Sequence, residues 1–144
     1  MAFSGNFLCT SFKKELMEAK HNFTAASDVF KLALYDNNAS FTAATTAYTS
    51  SNEISGTNYT AKGQFLTSVT PSISGTTALT DFADEIFSNV TISGVRGALI
   101  YNEAATSDPS VCVLDFGGDK SASSGDFTIV FPAAGASTEI IMIA

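Results

Sequence analysis

The chain has 144 residues, of which 45% are hydrophobic and 15% are charged, and its formal net charge is −7. This length suits one domain, and this share of apolar side chains can stabilise one core, which excludes wholesale disorder. Seven scattered Lys and Arg residues do not form the basic surface that nucleic acids require. The low charge content favours a surface that another protein covers, because few ions must be desolvated, although ordinary secreted β domains share it.

Residues 1–10 are predicted to form an N-terminal arm. Phe3, Phe7 and Leu8 lie around Gly5 with neither a helical nor a strand period. Leaving these side chains in water would cost free energy, so they either fold back on their own domain or insert into a neighbouring subunit. The sequence leaves both alternatives open, and the three side chains are candidate assembly contacts.

One helix is predicted after the arm, over residues 11–21. Apolar side chains recur there at three- and four-residue intervals from Phe12 onward, with charged residues between them. Thr10 or Ser11 can cap the first turn. The helix is short, and no other segment shows a helical period of comparable quality.

The rest of the chain is typical of short strands. Val29–Tyr35 alternates as a half-buried strand, and residues 39–61 predict a long ordered loop. Further strands are predicted at 64–73, 77–83, 89–92, 95–101, 111–116, 126–131 and 138–143. We expect one β-rich domain over residues 11–144, an antiparallel β-sandwich or jelly-roll-like fold. Val111–Leu114 and Ile140–Ile143 are apolar on both faces, so these strands are either central or covered by a partner.

The residues indicate no self-contained catalytic, cofactor or metal site. The single histidine, His21, is expected in solvent at the end of the helix, where the helix dipole favours it. Cys9 and Cys112 lie far apart and are expected to be reduced. One histidine and two distant cysteines cannot supply an ordinary zinc site. We therefore expect no cofactor and no enzyme activity.

Carboxylates are the remaining candidates for chemistry. The notable ones are Asp81, Asp84, Glu85, Asp115, Asp119 and Asp126. Paired carboxylates can hydrolyse glycosides, but the cleft must also carry aromatic side chains that stack on sugars, and the chain has no Trp. The run from Asp115 to Lys120 predicts a glycine-containing turn, with a calcium ion bound by Asp115 and Asp119 as the alternative.

Four stretches resemble small structural proteins of tailed bacteriophages. They are Tyr48–Tyr59 (YTSSNEISGTNY), Val95–Asn102 (VRGALIYN), Val113–Lys120 (VLDFGGDK) and Glu139–Ala144 (EIIMIA). The resemblance covers most of the chain and carries over no catalytic residue. It implies a virion protein assembled in the host cytoplasm, most specifically a capsid decoration, or cement, protein. Such a protein is expected to form a homotrimer, to bind the major capsid protein, and to clamp neighbouring capsomers.

Two other functions are open. A binding module at the tail or on a head fibre could recognise host-surface carbohydrate if its tyrosines lay exposed together, the candidates being Tyr35, Tyr48, Tyr59 and Tyr101. A small hydrolase would instead need a convergent Asp/Glu pair in a deep pocket. The sequence shows no signal peptide and no run of about 20 apolar residues, so we expect no membrane partner and a cytoplasmic origin.

Overall fold

The structure is a computed structural model that describes residues 3–132 and 140–144. Within these residues it contains one helix and eight strands. In chain order they are β1 (Phe7–Leu8), α1 (Thr10–Met17), β2 (Phe30–Tyr35), β3 (Gln64–Phe65), β4 (Ser68–Ser74), β5 (Thr77–Phe82), β6 (Glu85–Asn102), β7 (Ser110–Ile129) and β8 (Ile141–Ile143).

The strands form two antiparallel sheets. The large sheet has the order β1-β7-β6-β2-β3, and the small sheet has the order β4-β5-β8. The predicted fold class is therefore confirmed: the protein is mainly β and antiparallel, with one short helix, as in a β-sandwich-like fold.

Several predicted strand boundaries are wrong because glycines form bulges where turns were expected. Segments 89–92 and 95–101 belong to the single strand β6, and segments 111–116 and 126–131 are joined in β7. From Asp115 to Lys120, β7 advances five residues while the facing stretch of β6 advances two. Gly117 (φ +73°) lies inside this bulge, and its missing Cβ makes a positive φ inexpensive.

The predicted strand 64–73 is also divided, because the chain changes sheets within it. Gln64–Phe65 pairs with β2 in the large sheet, whereas Ser68–Ser74 pairs with β5 in the small sheet. The predicted strand 138–143 is described only from residue 140 onward, and β8 covers its last part; residues 138 and 139 lie outside the described residues.

The helix differs from the prediction at both ends. It runs from Thr10 to Met17, and its N-cap residue is Cys9, which makes no side-chain capping hydrogen bond, so the expected cap by Thr10 or Ser11 is wrong. Thr10 N instead donates to Ala43 O at 2.8 Å, so a tertiary contact satisfies this helix-end donor. The helix stops early because the backbone turns left-handed at Ala19 (φ +56°).

The core surrounds β2, β6 and β7. All six residues of β2 are buried, so the prediction of a half-buried strand at 29–35 is wrong. The ordered loop 39–61, which the sequence did predict, contacts β2 through a bridge between Tyr35 and Glu53 and contacts β6 through a bridge between Thr57 and Thr91. Lys31 of β2 is mostly buried and donates to Glu103 at 3.1 Å.

Candidate functional site

The N-terminal arm folds back on its own domain. The Phe3 ring is fully buried and meets the Phe41 ring edge-on, with a centroid distance of 5.8 Å. Gly97 of β6 makes room for it, because a Cβ there would overlap both the Phe3 ring and Leu114 O. Of the two alternatives left open by the sequence, the structure therefore shows the first for Phe3, which is buried in its own domain.

Asp115 fastens the arm to β7. Its Oδ2 accepts a hydrogen bond from Gly5 N at 3.1 Å, and its own N–H donates to Asn6 Oδ1 at 2.7 Å. Its Oδ1 accepts from Gly117 N at 2.9 Å and from Arg96 Nε at 3.2 Å. The Gly117 N–H lowers the pKa of Asp115 most, and Arg96 and Gly5 add to this, so that the pKa lies below its ordinary value. This carboxylate is therefore fully engaged in structure.

Phe7 and Leu8 line a groove beside the arm. Both are half-buried, and β1 pairs them with Val113 and Cys112 at the edge of the large sheet. The groove encloses about 480 Å³, and a second hollow of about 390 Å³ shares part of its wall. We call the two together the apolar groove, defined by Phe7, Leu8, Leu114, Phe116, Phe127, Ile129, Val130, Phe131 and Ile140.

The apolar groove also has an open strand edge. β1 covers β7 only at Cys112 and Val113, and on that side β7 pairs with no other strand of the described residues. An unpaired edge offers main-chain N–H and C=O groups to an extended segment of another chain. Val130, beside this edge, is 72% exposed. The geometry suits contact with another protein; whether Phe7 and Leu8 make such a contact stays a prediction.

His21 is buried, so the prediction of a solvated histidine is wrong. Its Nε2 lies 2.8 Å from Glu15 Oε2, and its Nδ1 lies 3.1 Å from Asn102 Nδ2. The Asn102 amide also donates to Asp28 Oδ2 at 2.8 Å, which fixes its NH₂ group toward the ring. Nδ1 is then the acceptor, and Nε2 carries the proton and donates to Glu15. Both ring nitrogens are occupied by structural contacts.

Glu15 completes this contact between α1 and β6. Burial alone would raise the pKa of Glu15, but hydrogen bonds from His21 and Lys20 outweigh it, and the pKa lies below its ordinary value. No local pattern indicated this arrangement, since Glu15 and Asn102 lie 87 positions apart.

The tyrosines do not form an exposed stacking platform. Tyr35 and Tyr101 are fully buried, and Tyr48 and Tyr59 are half-buried. The hydroxyls of Tyr48 and Tyr59 donate to Glu53 at 2.6 and 2.8 Å. Burial raises the pKa of all four phenols. The carbohydrate alternative required exposed tyrosines, and these residues instead anchor the loop 39–61 to the core.

Three of the candidate carboxylates accept hydrogen bonds from backbone N–H groups. Asp81, Asp84 and Asp126 accept hydrogen bonds from Phe82 N, Phe131 N and Asn89 N respectively. Asp119 lies on the exposed side of the bulge, 4.0 Å from Arg96. Burial raises the pKa of Glu85.

Cys9 and Cys112 are free, as the sequence predicted, and both are buried. Burial is the largest cause that raises the pKa of each thiol, which keeps both in the unreactive protonated form.

In residues 3–132 and 140–144, no group of three or more His, Cys, Asp or Glu side chains could hold a metal ion. No helix in the same residues is long and apolar enough to cross a membrane. The chain matches no protein-family model, no curated protein and no solved structure.

Proposed function

We propose that this protein is a structural virion component, a capsid decoration protein that binds the major capsid protein of a tailed phage. The observation that carries the proposal is the apolar groove, in which half-buried apolar side chains and the exposed Val130 lie together beside an open strand edge. Single exposed apolar residues are ordinary on protein surfaces, but contiguous apolar patches are characteristic of contact sites. The resemblance to small phage virion proteins specifies the assembly, with the homotrimer that it implies.

Charge supports this role for the apolar groove. Its walls include two charged residues, Asp115 and Lys120, and Asp115 is already paired with Arg96. Covering such a surface desolvates few free ions. The protein has a net charge of −7, so an acidic partner surface would repel most of it. This repulsion is weakest where the protein's own surface is uncharged.

The binding of many copies to one shell compensates for the low affinity of a single groove. Each exposed aliphatic side chain that becomes buried contributes about 1–2 kcal/mol, so a single contact of this size is weak. Copies linked on a closed shell act at high effective concentration, and their contacts reinforce one another. A cement protein stabilises a shell in this way by contact alone.

The test is binding of purified protein to phage shells that lack it, measured by co-sedimentation. Val130→Asp places a charge in the apolar groove, and we expect it to weaken binding at least tenfold. Phe65→Asp is the matched control, because Phe65 is 61% exposed on β3, at the opposite edge of the large sheet. The proposal fails if the wild-type protein does not bind shells, or if Val130→Asp binds them as tightly as the wild type does.

A further inference from the structure

The small sheet carries a second apolar surface. It is formed by β4, β5 and β8, whereas the apolar groove lies beside β1 and β7 of the large sheet. Ile73 of β4 is the direct partner of Ala78 of β5, and Ala78 is the direct partner of Ile143 of β8. Residues directly opposite in antiparallel strands project from the same face, so the three form one row across the sheet. Ile73 is 79% exposed, Ile143 is 57% exposed, and Ala78 is exposed between them.

This row borders a hollow next to the helix. The hollow encloses about 170 Å³ and is lined by Leu16, Phe23, Pro71, Ala78, Leu79, Thr80, Ile141 and Ile143. None of these side chains is charged. Two large isoleucines flank the small Ala78, which gives the row the profile of a ridge, a hollow and a second ridge. We call this surface the isoleucine row, defined by Ile73, Ala78 and Ile143.

We propose that the isoleucine row is the contact between copies of this chain. Two copies that each carry a net charge of −7 repel one another, so they can approach closely only through uncharged surface. The chain has no charged side chain between Lys62 and Asp81, and this stretch contains β3, β4 and the first four residues of β5.

The shape of the row is self-complementary. In a contact between two identical surfaces, an isoleucine of one copy can enter the hollow at Ala78 of the other copy. The same isoleucine of the second copy then enters the hollow at Ala78 of the first. Face-to-face packing of two sheets places side chains in this interdigitated manner. A partner of different sequence would need side chains at the same spacing as Ile73, Ala78 and Ile143. A second copy of this chain has that spacing because its surface is identical.

The edges of the small sheet point to the same partner. β8 is an edge strand with three uncharged residues, and its outer side pairs with no other strand of the described residues. β4, the other edge, contains Pro71 and an irregular register between Val69 and Ser72, which disfavours strand addition there. A contact through the face of the small sheet that carries the isoleucine row, with β8 at one side of the contact, is consistent with this difference between the two edges.

The available area sets the strength of the contact. At about 100 Å² for each exposed apolar side chain, the row and its neighbours contribute a few hundred Å² per copy, below the roughly 800 Å² per partner of a standard stable interface. Association is therefore expected at tens to hundreds of micromolar in solution. The inference rests on the proposed function for its purpose, since a decorating protein benefits from linked copies, but the contact itself needs no shell.

Sedimentation equilibrium of the purified chain between about 10 µM and 1 mM tests the inference. We expect the wild-type mass to rise with concentration toward that of a dimer, because a contact between two identical surfaces closes at two copies. Ile73→Asp and Ile143→Asp should each weaken association at least tenfold, because a buried carboxylate would face its own copy. Val130→Asp, in the apolar groove, is the control and should associate like the wild type.

Both row variants alter exposed side chains, and unchanged circular dichroism confirms that each is folded. A wild-type chain that stays monomeric at 1 mM overturns the inference, as does association that the row variants leave intact or that Val130→Asp weakens equally. A monomer that still binds shells would refute this inference and leave the proposed function standing. If the wild type forms an oligomer that the row variants dissociate but does not bind shells, the inference stands and the proposed function is refuted.

Discussion

Truncating Phe3 tests how firmly the N-terminal arm is docked. The Phe3 ring is fully buried, contacts the Phe41 ring edge-on, and fills the space above Gly97. Replacing a buried Phe by Ala costs about 3–5 kcal/mol in protein cores. The arm can detach as a unit, however, so the loss cannot exceed the free energy that docks it. We therefore expect Phe3→Ala to lower the free energy of unfolding by about 3 kcal/mol.

Urea unfolding at neutral pH, followed by tyrosine fluorescence, measures this loss, because the chain has four Tyr and no Trp. With a denaturant slope of about 2 kcal/mol per M, the midpoint should fall by about 1.5 M. Gly97→Ala should destabilise to a similar extent, because the added Cβ would overlap the Phe3 ring. Gly118→Ala is the control: nothing lies within 4 Å of a Cβ at that position, and its effect should stay within about 0.5 kcal/mol.

A change of less than about 0.5 kcal/mol for Phe3→Ala would refute this reasoning. It would mean that the arm is undocked in solution. The alternative in which Phe3 inserts into a neighbouring subunit would then be favoured.

Glu53→Ala should lower the free energy of unfolding by about 3 kcal/mol in the same urea assay, because it removes the acceptor of Tyr48, Tyr59 and the Lys62 N–H. A loss below 1 kcal/mol would show that these contacts do not hold the loop. Asp115 has a lowered pKa in the folded state, so its contribution to stability is present above about pH 4 and is lost as the pH falls through the folded-state value. Asp115→Asn should therefore be about 1–2 kcal/mol less stable than the wild type at pH 7, and the difference should disappear as the pH falls below the folded-state pKa of Asp115. A difference that does not change with pH would contradict this account.

The sequence predicted the fold class because strand periodicity and turn residues are local signals. Val29–Tyr35 and 77–83 differ from the observed strands by one residue at an end. The predicted strand ends at Gly94 and Gly117 were wrong, because a glycine with positive φ occurs in β-bulges as well as in turns. Only the partner strand decides between the two, and strand pairing is not visible in the local pattern.

The candidate site was only partly predictable for the same reason. Phe7 and Leu8 were identified by their apolar character, but the local pattern did not indicate that Phe3 would be buried while these two line the groove. Val130 gave no signal of its own, and it gained significance only because the fold places it beside the open edge of β7. His21 was misplaced because its partners, Glu15 and Asn102, come together only in the folded chain.

The pairing of β1 with β7 also affects the order of events during synthesis. Gly5 binds Asp115 across 110 positions, so the arm leaves the ribosome long before its docking site exists. Until β7 has been made, Phe3 and its neighbours have no native surface to cover them, and contacts of such long range form slowly. The arm is thus made long before its docking site and is among the last parts of the domain to reach its final place, so nascent chains that lack β7 should expose it to chaperones and proteases.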